Sequence, residues 1–371
     1  GPPQSLSRER FHGPDPAATG GLVPVIDGRD PSAAAAAFAR VYHGPRHPVV
    51  IRGLDVGPCA ARWDAAYLAG AEGNRLLTAG VHVCPAGPVD LAGHRPPNTP
   101  KNFAFRAMPW REFVERAAGI PAGPGRAPHA PVLGPGESYY MRSVAEGRRA
   151  GKEPSDLNRL FPRLAADVRL PAGVVYAPEA LHSTVLRVAS PRTELATHFD
   201  TMDNALVQAL GDKNVSLWPP AQAGNLYVAG SSARADDPDT ADPARFPRAA
   251  RARAARLEAT LRPGDVLFIP ALWLHRVRCE SFSVAVNAFW RGLPADEHGA
   301  KDVYGNRPPV SAARALALAE QAAAALAHLP EPYRSFYGRA AAERLEEALG
   351  ASGPGGEQDA AETPAADGAV G

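Results

Sequence analysis

The sequence predicts a mainly β fold, a sandwich or small barrel of short strands with flanking helices and a C-terminal helical segment. Three observations predict it. From Thr184 onward, short β-prone segments are separated by turn residues, which is typical of sandwiches and small barrels. Apolar residues make up 45% of the 371 residues, enough for a sizeable core. Residues 311–349 are rich in Ala, Leu and Glu, which favour helices, with breaks at Pro330 and Pro332.

The predicted strands are short segments in which β-branched and aromatic residues recur. In the C-terminal half they are residues 184–190, 193–199, 205–210, 214–218, 257–261, 266–269, 275–279 and 283–289. Earlier strands are predicted at 48–53, 79–83 and 138–143, and helices at 31–42, 60–69 and 109–118. Asp30, followed by Pro31, is placed to cap the first helix.

The same patterns predict four regions. Residues 1–21 are polar and rich in Pro and Gly, and we expect them to be disordered. A β domain follows over 22–310, then helices over 311–349 and a disordered acidic tail over 350–371.

Charge and cysteine content exclude several kinds of protein. The formal net charge is +1, so no global field attracts nucleic acid or a membrane, and any such binding needs a local patch. The three cysteines are scattered without a CxxC pair, which argues against a disulfide framework and a cysteine zinc site. There is no run of 18 apolar residues and no signal-peptide core. We therefore expect an intracellular protein, cytoplasmic or nuclear, with no membrane partner.

A metal site is predicted from three residues. His198 and Asp200 form an HxD triplet at the end of a predicted strand, where residues i and i+2 point to the same face. His275 follows the turn and apolar strand Gly264-Asp-Val-Leu-Phe-Ile269. Two histidines and one carboxylate form the facial triad of non-haem iron oxygenases, which leaves coordination positions open for cosubstrate and O₂.

The individual pieces of this pattern are weak. Chance produces roughly 0.6 HxD triplets in a chain with this content of His and Asp. His198 alone could be a surface strand residue, and His275 alone a buried histidine with satisfied hydrogen bonds. The combination carries the metal prediction: HxD at a strand end, the GDVLFIP segment, His275, and a final strand that ends in Asn287-Ala-Phe-Trp290.

Longer segments resemble one protein family. They are Lys101-Asn-Phe, Tyr139-Tyr-Met-Arg-Ser143, Thr197-His-Phe-Asp-Thr-Met-Asp-Asn204, Gly264-Asp-Val-Leu-Phe-Ile-Pro-Ala-Leu-Trp-Leu-His275, Val286-Asn-Ala-Phe-Trp290, Tyr304-Gly-Asn306 and Leu329-Pro-Glu-Pro-Tyr-Arg334. Over about residues 24–340 the chain resembles the JmjC-type cupin 2-oxoglutarate oxygenases, and within them the tRNA wybutosine-synthesizing hydroxylases. The resemblance implies a double-stranded β-helix (jelly roll), with Fe(II), 2-oxoglutarate as cosubstrate, and O₂.

The resemblance also implies a cosubstrate site. Tyr140 and Asn204 would contact 2-oxoglutarate, and Lys213 would pair with its distal carboxylate, since a buried dianion needs a buried cation. Each residue has a second interpretation: a core aromatic for Tyr140, a satisfied amide for Asn204 and a solvated turn lysine for Lys213. Arg142 and Arg187 are either site arginines or members of structural ion pairs.

The implied substrate is the wybutosine precursor base next to the anticodon of phenylalanine tRNA. The basic residues that could contact RNA are Arg245, Arg248, Arg251, Arg253 and Arg256, together with Lys101, Arg106, Arg148, Arg149 and Lys152. They could equally form a solvated basic surface. The resemblance implies a homodimer, with the C-terminal helices either as the dimer interface or as a cap. Two other functions remain open: a JmjC protein hydroxylase or histone lysine demethylase, and a non-catalytic cupin.

Overall fold

The computed structural model describes residues 20–70, 78–85, 87–89, 102–121, 129–145, 147–299, 302–305 and 307–351. The chain separates into two compact units with the boundary after Val310, and each is described by itself. The predicted disordered ends lie almost wholly outside the described residues, so disorder there stays a prediction.

The first unit is built on two β-sheets. Its strands are β1 Val25–Asp27, β2 Val49–Arg52, β3 Thr78–Cys84, β4 Ala104–Pro109, β5 Ser138–Arg142, β6 Leu181–Ala189, β7 Glu194–His198, β8 Asp203–Leu210, β9 Lys213–Trp218, β10 Val228–Ala229, β11 Ser232–Ala233, β12 Leu257–Leu261, β13 Val266–Ile269, β14 Leu274–Cys279 and β15 Ser283–Trp290. One sheet has the order β1-β2-β13-β8-β15-β6-β5-β3-β4, and the other β10-β11-β7-β14-β9-β12. Neighbouring strands are antiparallel except β1 and β2.

Apolar residues fill the space between the sheets and also cover the outer face of the larger one. In β13, Leu267 and Ile269 pack with residues of the smaller sheet, whereas Val266 and Phe268 pack with the helices. Side chains alternate along a strand, so a strand buried on both faces is apolar throughout. The predicted mainly β fold with flanking helices is confirmed.

The helices of this unit are short. They are Pro31–Ala37, continued by the π-type turn Phe38–His43, then Cys59–Arg62, Ala65–Gly70, Trp110–Ala118, Leu157–Leu160 and Pro162–Ala165, with 3-10 turns at Gly147–Arg149, Pro178–Ala180, Pro220–Gln222, Ala249–Ala255 and Ala295–Glu297. Asp30 accepts hydrogen bonds from the backbone amides of Ser32 and Ala33, as a helix cap does. None of the described helices is long and apolar enough to cross a membrane.

Two local predictions were wrong. The helix predicted at 60–69 is two helices, because Trp63 between them is extended and its indole nitrogen donates to Asp167 at 3.0 Å. Strand β4 was missed. It pairs with β3 at the edge of the sheet, and most of its side chains are exposed, so no apolar alternation marks it in the sequence.

The second unit contains two long helices, Val310–Leu326 and Tyr333–Ala351, separated at the predicted Pro330 and Pro332. Large apolar side chains are exposed on both helices: Leu316, Leu318, Tyr333, Phe336, Tyr337, Leu345 and Leu349. Exposed apolar patches of this kind mark interaction surfaces.

Candidate active site

Two neighbouring strands bring the predicted histidines together. His198 is the last residue of β7, and His275 is the second residue of β14. The two are direct partners in the antiparallel pairing of these strands. Their ring centroids are 4.3 Å apart. This register places two imidazoles on the same side of the smaller sheet.

Asp200 reaches the histidines from a turn. Strand β7 ends at His198, so the expected alternation along a strand does not position the carboxylate. Instead, the backbone amide of Leu272 donates to the carbonyl of Asp200 at 2.8 Å, which ties this turn to the segment before β14. Oδ2 of Asp200 lies 3.7 Å from Nε2 of His275. One donor atom from each of the three residues lies within 4.8 Å of the others.

Backbone carbonyls fix the orientation of both rings. Nδ1 of His198 lies 2.7 Å from the carbonyl of Ala196, and Nδ1 of His275 lies 3.0 Å from that of Trp273. A carbonyl oxygen only accepts, so Nδ1 is the donor in each contact and Nε2 is the ring nitrogen left to bind a metal. Burial, reinforced by His198, lowers the pKa of His275 to about 4, so this ring is neutral at pH 7.

The donor set fits a metal ion. Oδ2 of Asp200 is buried and has no hydrogen-bond partner among the described residues. An unsatisfied buried carboxylate oxygen is costly, and a cation shared with two imidazole lone pairs would remove that cost. Two nitrogens and one carboxylate oxygen on one side of an ion are the ligands that non-haem Fe(II) takes.

The predicted cosubstrate residues line one cavity with the two histidines. Tyr140, Asn204 and Lys213 all face it. Asn287 also lines the cavity, and its amide nitrogen donates to Oδ1 of Asn204 at 2.9 Å. The sequence placed Asn287 in the final strand, with no predicted role. Asn287 pairs with Leu206, which packs with residues of the smaller sheet, so Asn287 faces inward.

The cavity carries one buried cation, Lys213, and one part-buried cation, Arg187. Lys213 is 3% exposed, and no carboxylate of the described residues lies within ion-pair distance of it. Burial lowers the pKa of Lys213 to about 8; Cys279 opposes this shift and Arg187 adds to it. Nη1 of Arg187 donates to the Tyr140 hydroxyl at 2.5 Å, while its Nε has no partner in the described part of the chain. Lys213 is thus not a solvated turn lysine, because its side chain is buried at the wall of this cavity.

Asp203, three residues after Asp200, joins the turn of Arg46 to the segment that precedes His275. Its carboxylate is 1% exposed, accepts hydrogen bonds from Arg46, and accepts another from the backbone amide of Ala271 at 2.9 Å. The indole nitrogen of Trp273 donates to the carbonyl of Arg46 at 2.8 Å. Asp203 belongs to the Met202-Asp-Asn204 segment that carries the family resemblance. Nothing in the sequence around Arg46 indicated its contact with Asp203.

The basic candidates differ in their partners. Arg253 and Arg256 pair with Asp239, Arg149 pairs with Glu153, and Arg245 and Arg248 lie over the rings of Phe246 and Tyr227. Arg106, Arg148, Lys152 and Arg251 are exposed without a carboxylate partner among the described residues. Lys101 lies outside the described residues. The run at 245–256 is therefore less available to a phosphate than the sequence suggested.

Comparison with known proteins identifies the family. The cupin-like domain family matches residues 34–296. The chain is 40% identical to tRNA wybutosine-synthesizing protein 5 of Danio rerio over 310 residues, 83% of this chain and 88% of the relative. It is 37% identical to tRNA wybutosine-synthesizing protein 5 of Homo sapiens over 303 residues, 81% of this chain and 89% of the relative.

A more distant relative is much longer. The chain is 32% identical to tRNA wybutosine-synthesizing protein 4 of Gibberella zeae over 305 residues, which is 81% of this chain but 27% of that protein. The predicted resemblance is confirmed. The chain belongs to the cupin-like domain family and, within it, to the family of tRNA wybutosine-synthesizing protein 5.

Proposed function

We propose that the protein is an Fe(II)- and 2-oxoglutarate-dependent hydroxylase that acts on the wybutosine precursor base next to the anticodon of phenylalanine tRNA. The observation that carries this proposal is a His-Asp-His cluster, with an unsatisfied carboxylate oxygen, beside a cation-lined cavity. It occurs in a chain whose relatives are named for wybutosine synthesis. A role in tRNA modification would place the protein in the cytoplasm or nucleus.

The metal would be held by the facial triad. His198 and His275 would each offer Nε2, and Asp200 would offer its unsatisfied Oδ2. Bound Fe(II), 2-oxoglutarate and O₂ supply the oxidising chemistry that converts a C–H bond into a C–OH bond, with succinate and CO₂ as co-products. The residues of the chain keep the metal accessible on one side, since three protein ligands leave open positions.

The cosubstrate would be held by the cavity behind the triad. Lys213 would pair with the distal carboxylate, while the hydroxyl of Tyr140 and the amide of Asn204 would donate hydrogen bonds. Nε of Arg187 and Oδ1 of Asn287 lack partners among the described residues, so they remain available to a ligand or to water. Binding a dianion here would satisfy Nε of Arg187, a buried donor whose desolvation costs roughly 1–3 kcal/mol, whereas Oδ1 of Asn287 is an acceptor and would need a donor such as water.

Binding of tRNA needs cations that face solvent near the cavity. Arg148, Arg149 and Arg159 line a surface pocket of about 240 Å³ that shares Leu160 with a larger cavity beside the site. Of these three arginines, Arg148 has no carboxylate partner in the described part of the chain. Because this pocket adjoins the cavity beside the site, we assign phosphate binding to this surface rather than to the 245–256 run.

The C-terminal helices would form a homodimer interface. The two helices expose large apolar side chains, and exposed apolar surface is unfavourable in water. Size-exclusion chromatography with light scattering should give twice the chain mass. A monomer at micromolar concentration would contradict this part of the proposal.

An in vitro reaction tests the function directly. Purified protein, Fe(II) and 2-oxoglutarate are incubated with tRNA that carries the unhydroxylated wybutosine precursor, and the digested nucleosides are weighed by mass spectrometry. We expect a gain of one oxygen on the precursor nucleoside, together with succinate. Absence of that product would refute the tRNA assignment. The same reaction on histone peptides tests the alternative of a protein hydroxylase or demethylase.

A further inference from the structure

Two cavities meet at Arg142, on strand β5. The smaller, about 50 Å³, is lined by Asp200 and Tyr304, among others. The larger, about 400 Å³, is lined by aromatic residues that include Phe105 and Trp110. Arg142, Ser143 and Val144 line both, so the larger cavity continues to the metal-ligand Asp200 through this junction. Arg187 lines both the smaller cavity and the proposed cosubstrate cavity, whereas Lys213 lines neither the smaller nor the larger one, so this route reaches Asp200 from the side away from Lys213.

Arg142 is a part-buried cation whose side chain has no anionic partner. Its guanidinium lies 5.7 Å from the ring centroid of Tyr304. In the described part of the chain no carboxylate lies within ion-pair distance of it, whereas Arg187 donates to the Tyr140 hydroxyl. Burial lowers the pKa of Arg142, which reflects the cost of holding this charge away from water. An arginine kept at such a cost is ready to pair with an incoming anion.

The aromatic platform under Arg142 is tied to the metal-ligand turn. The hydroxyl of Thr201 donates to the carbonyl of Gly305 at 2.8 Å, one residue after Asp200 and one residue after Tyr304. Gly305 has φ +65°, and a Cβ there would lie 2.4 Å from the Met202 side chain. Close packing and this hydrogen bond hold the Tyr304 segment against the turn that carries Asp200. The guanidinium therefore stands at a defined place relative to the metal site.

We propose that Arg142 determines substrate specificity by binding an anionic oxygen of the substrate, a carboxylate or a phosphate, in the cavity beside Asp200. This inference rests on the proposed function, because it assigns the cavity on this side of Asp200 to the substrate of the hydroxylase. A guanidinium offers two parallel donors to a carboxylate or phosphate, so it fixes both the position and the orientation of the bound group. The C–H bond to be oxidised is thereby held at a fixed distance from the metal site.

Binding measurements separate this role from turnover. The probes are the wybutosine precursor nucleoside and its 5′-monophosphate, and binding is followed by tryptophan fluorescence, since Trp110 lines the larger cavity. The variants are Arg142→Met, which keeps the stem, and Arg142→Lys, which keeps the charge. Arg163→Met, at an exposed arginine on the helix Pro162–Ala165, is the matched control.

We expect Arg142→Met to weaken binding about tenfold or more, as expected when a charge-assisted pair is lost. The affinity of Arg142→Lys for the probes should lie between those of the unaltered protein and Arg142→Met. Arg163→Met should bind the probes as tightly as the unaltered protein does. If the anion is a phosphate, the monophosphate binds more tightly than the nucleoside, and Arg142→Met abolishes that difference. If the anion is an acidic group on the base, the nucleoside and the monophosphate bind with equal affinity, and Arg142→Met weakens the binding of both.

Equal affinity of Arg142→Met and the unaltered protein for both probes would overturn the inference, whether or not tRNA is hydroxylated. Failure of the unaltered protein to bind either probe would overturn it as well. Hydroxylation of tRNA by the same preparation would then show that the proposed function survives. In tRNA hydroxylation, Arg142→Met should raise KM more than it lowers kcat, which a general loss of stability would not do.

Discussion

A Lys213→Met variant keeps most of the side-chain volume but removes a buried charge. If Lys213 pairs with the distal carboxylate of 2-oxoglutarate, its loss leaves an unpaired buried carboxylate. Truncating one partner of such a pair costs roughly 2–5 kcal/mol, so the KM for 2-oxoglutarate should rise about thirtyfold or more. The rate of succinate formation at increasing 2-oxoglutarate concentration measures this change.

The same variant should make the protein without cosubstrate more stable. The pKa of Lys213 falls from 10.5 to about 8, and one pKa unit corresponds to about 1.4 kcal/mol. The buried charge therefore destabilises the folded state by roughly 3 kcal/mol at pH 7, as an upper estimate. Because the folded-state pKa lies below the unfolded one, this penalty is complete below pH 8 and disappears as pH rises towards 10.5. In urea unfolding, Lys213→Met should exceed the unaltered protein in free energy of unfolding by more at pH 7 than at pH 10.

Deprotonation of Lys213 should also weaken the binding of 2-oxoglutarate, although it stabilises the fold. A dianion needs Lys213 protonated, so affinity for 2-oxoglutarate should fall above about pH 8 in the unaltered protein, and this dependence should be absent in Lys213→Met. Lys152→Met, at an exposed lysine, is the control and should bind 2-oxoglutarate normally. Unchanged 2-oxoglutarate affinity in Lys213→Met would refute the reasoning about this cavity.

Three further predictions follow from the described contacts. His198→Ala should abolish both turnover and stoichiometric Fe(II) binding, measured by elemental analysis; full activity would refute the metal assignment. Gly305→Ala should destabilise the fold by about 1–3 kcal/mol in urea unfolding, because its φ is positive and a Cβ would meet Met202. Gly299→Ala has open space and serves as control, so an equal effect of the two would contradict this explanation. Phe336→Glu should convert the proposed dimer into monomers in light scattering, and an unchanged mass would place the interface elsewhere.

The sequence predicted the fold where one physical pattern dominates. Strands β12 and β13 were predicted at the observed bounds, because β12 alternates apolar and polar residues, β13 is apolar throughout, and a turn separates them. Prediction failed where tertiary contacts decide the structure. The bond from Trp63 to Asp167 interrupts a helix that local propensity would continue, and β4 is recognisable only by its pairing with β3.

For the candidate site, the sequence predicted which residues belong to it, but not how the fold brings them together. His198, Asp200 and His275 do converge, yet Asp200 gets there through a turn held by Leu272 and not through strand alternation. The clamp between Arg46 and Asp203 joins residues 157 positions apart, and no local pattern encodes that contact. The sequence left open whether Lys213 is buried, and the pairing of β9 with β14 decides it.

Hydroxylation of the wybutosine precursor in phenylalanine tRNA is the activity that we propose for this protein. The most direct test is mass spectrometry of nucleosides from phenylalanine tRNA of cells that lack the protein, complemented with either the unaltered chain or His198→Ala. We predict that the hydroxylated nucleoside is lost with the protein, returns with the unaltered chain and stays absent with His198→Ala. Hydroxylated nucleoside at normal levels in cells lacking the protein, or its restoration by His198→Ala, would contradict the claim.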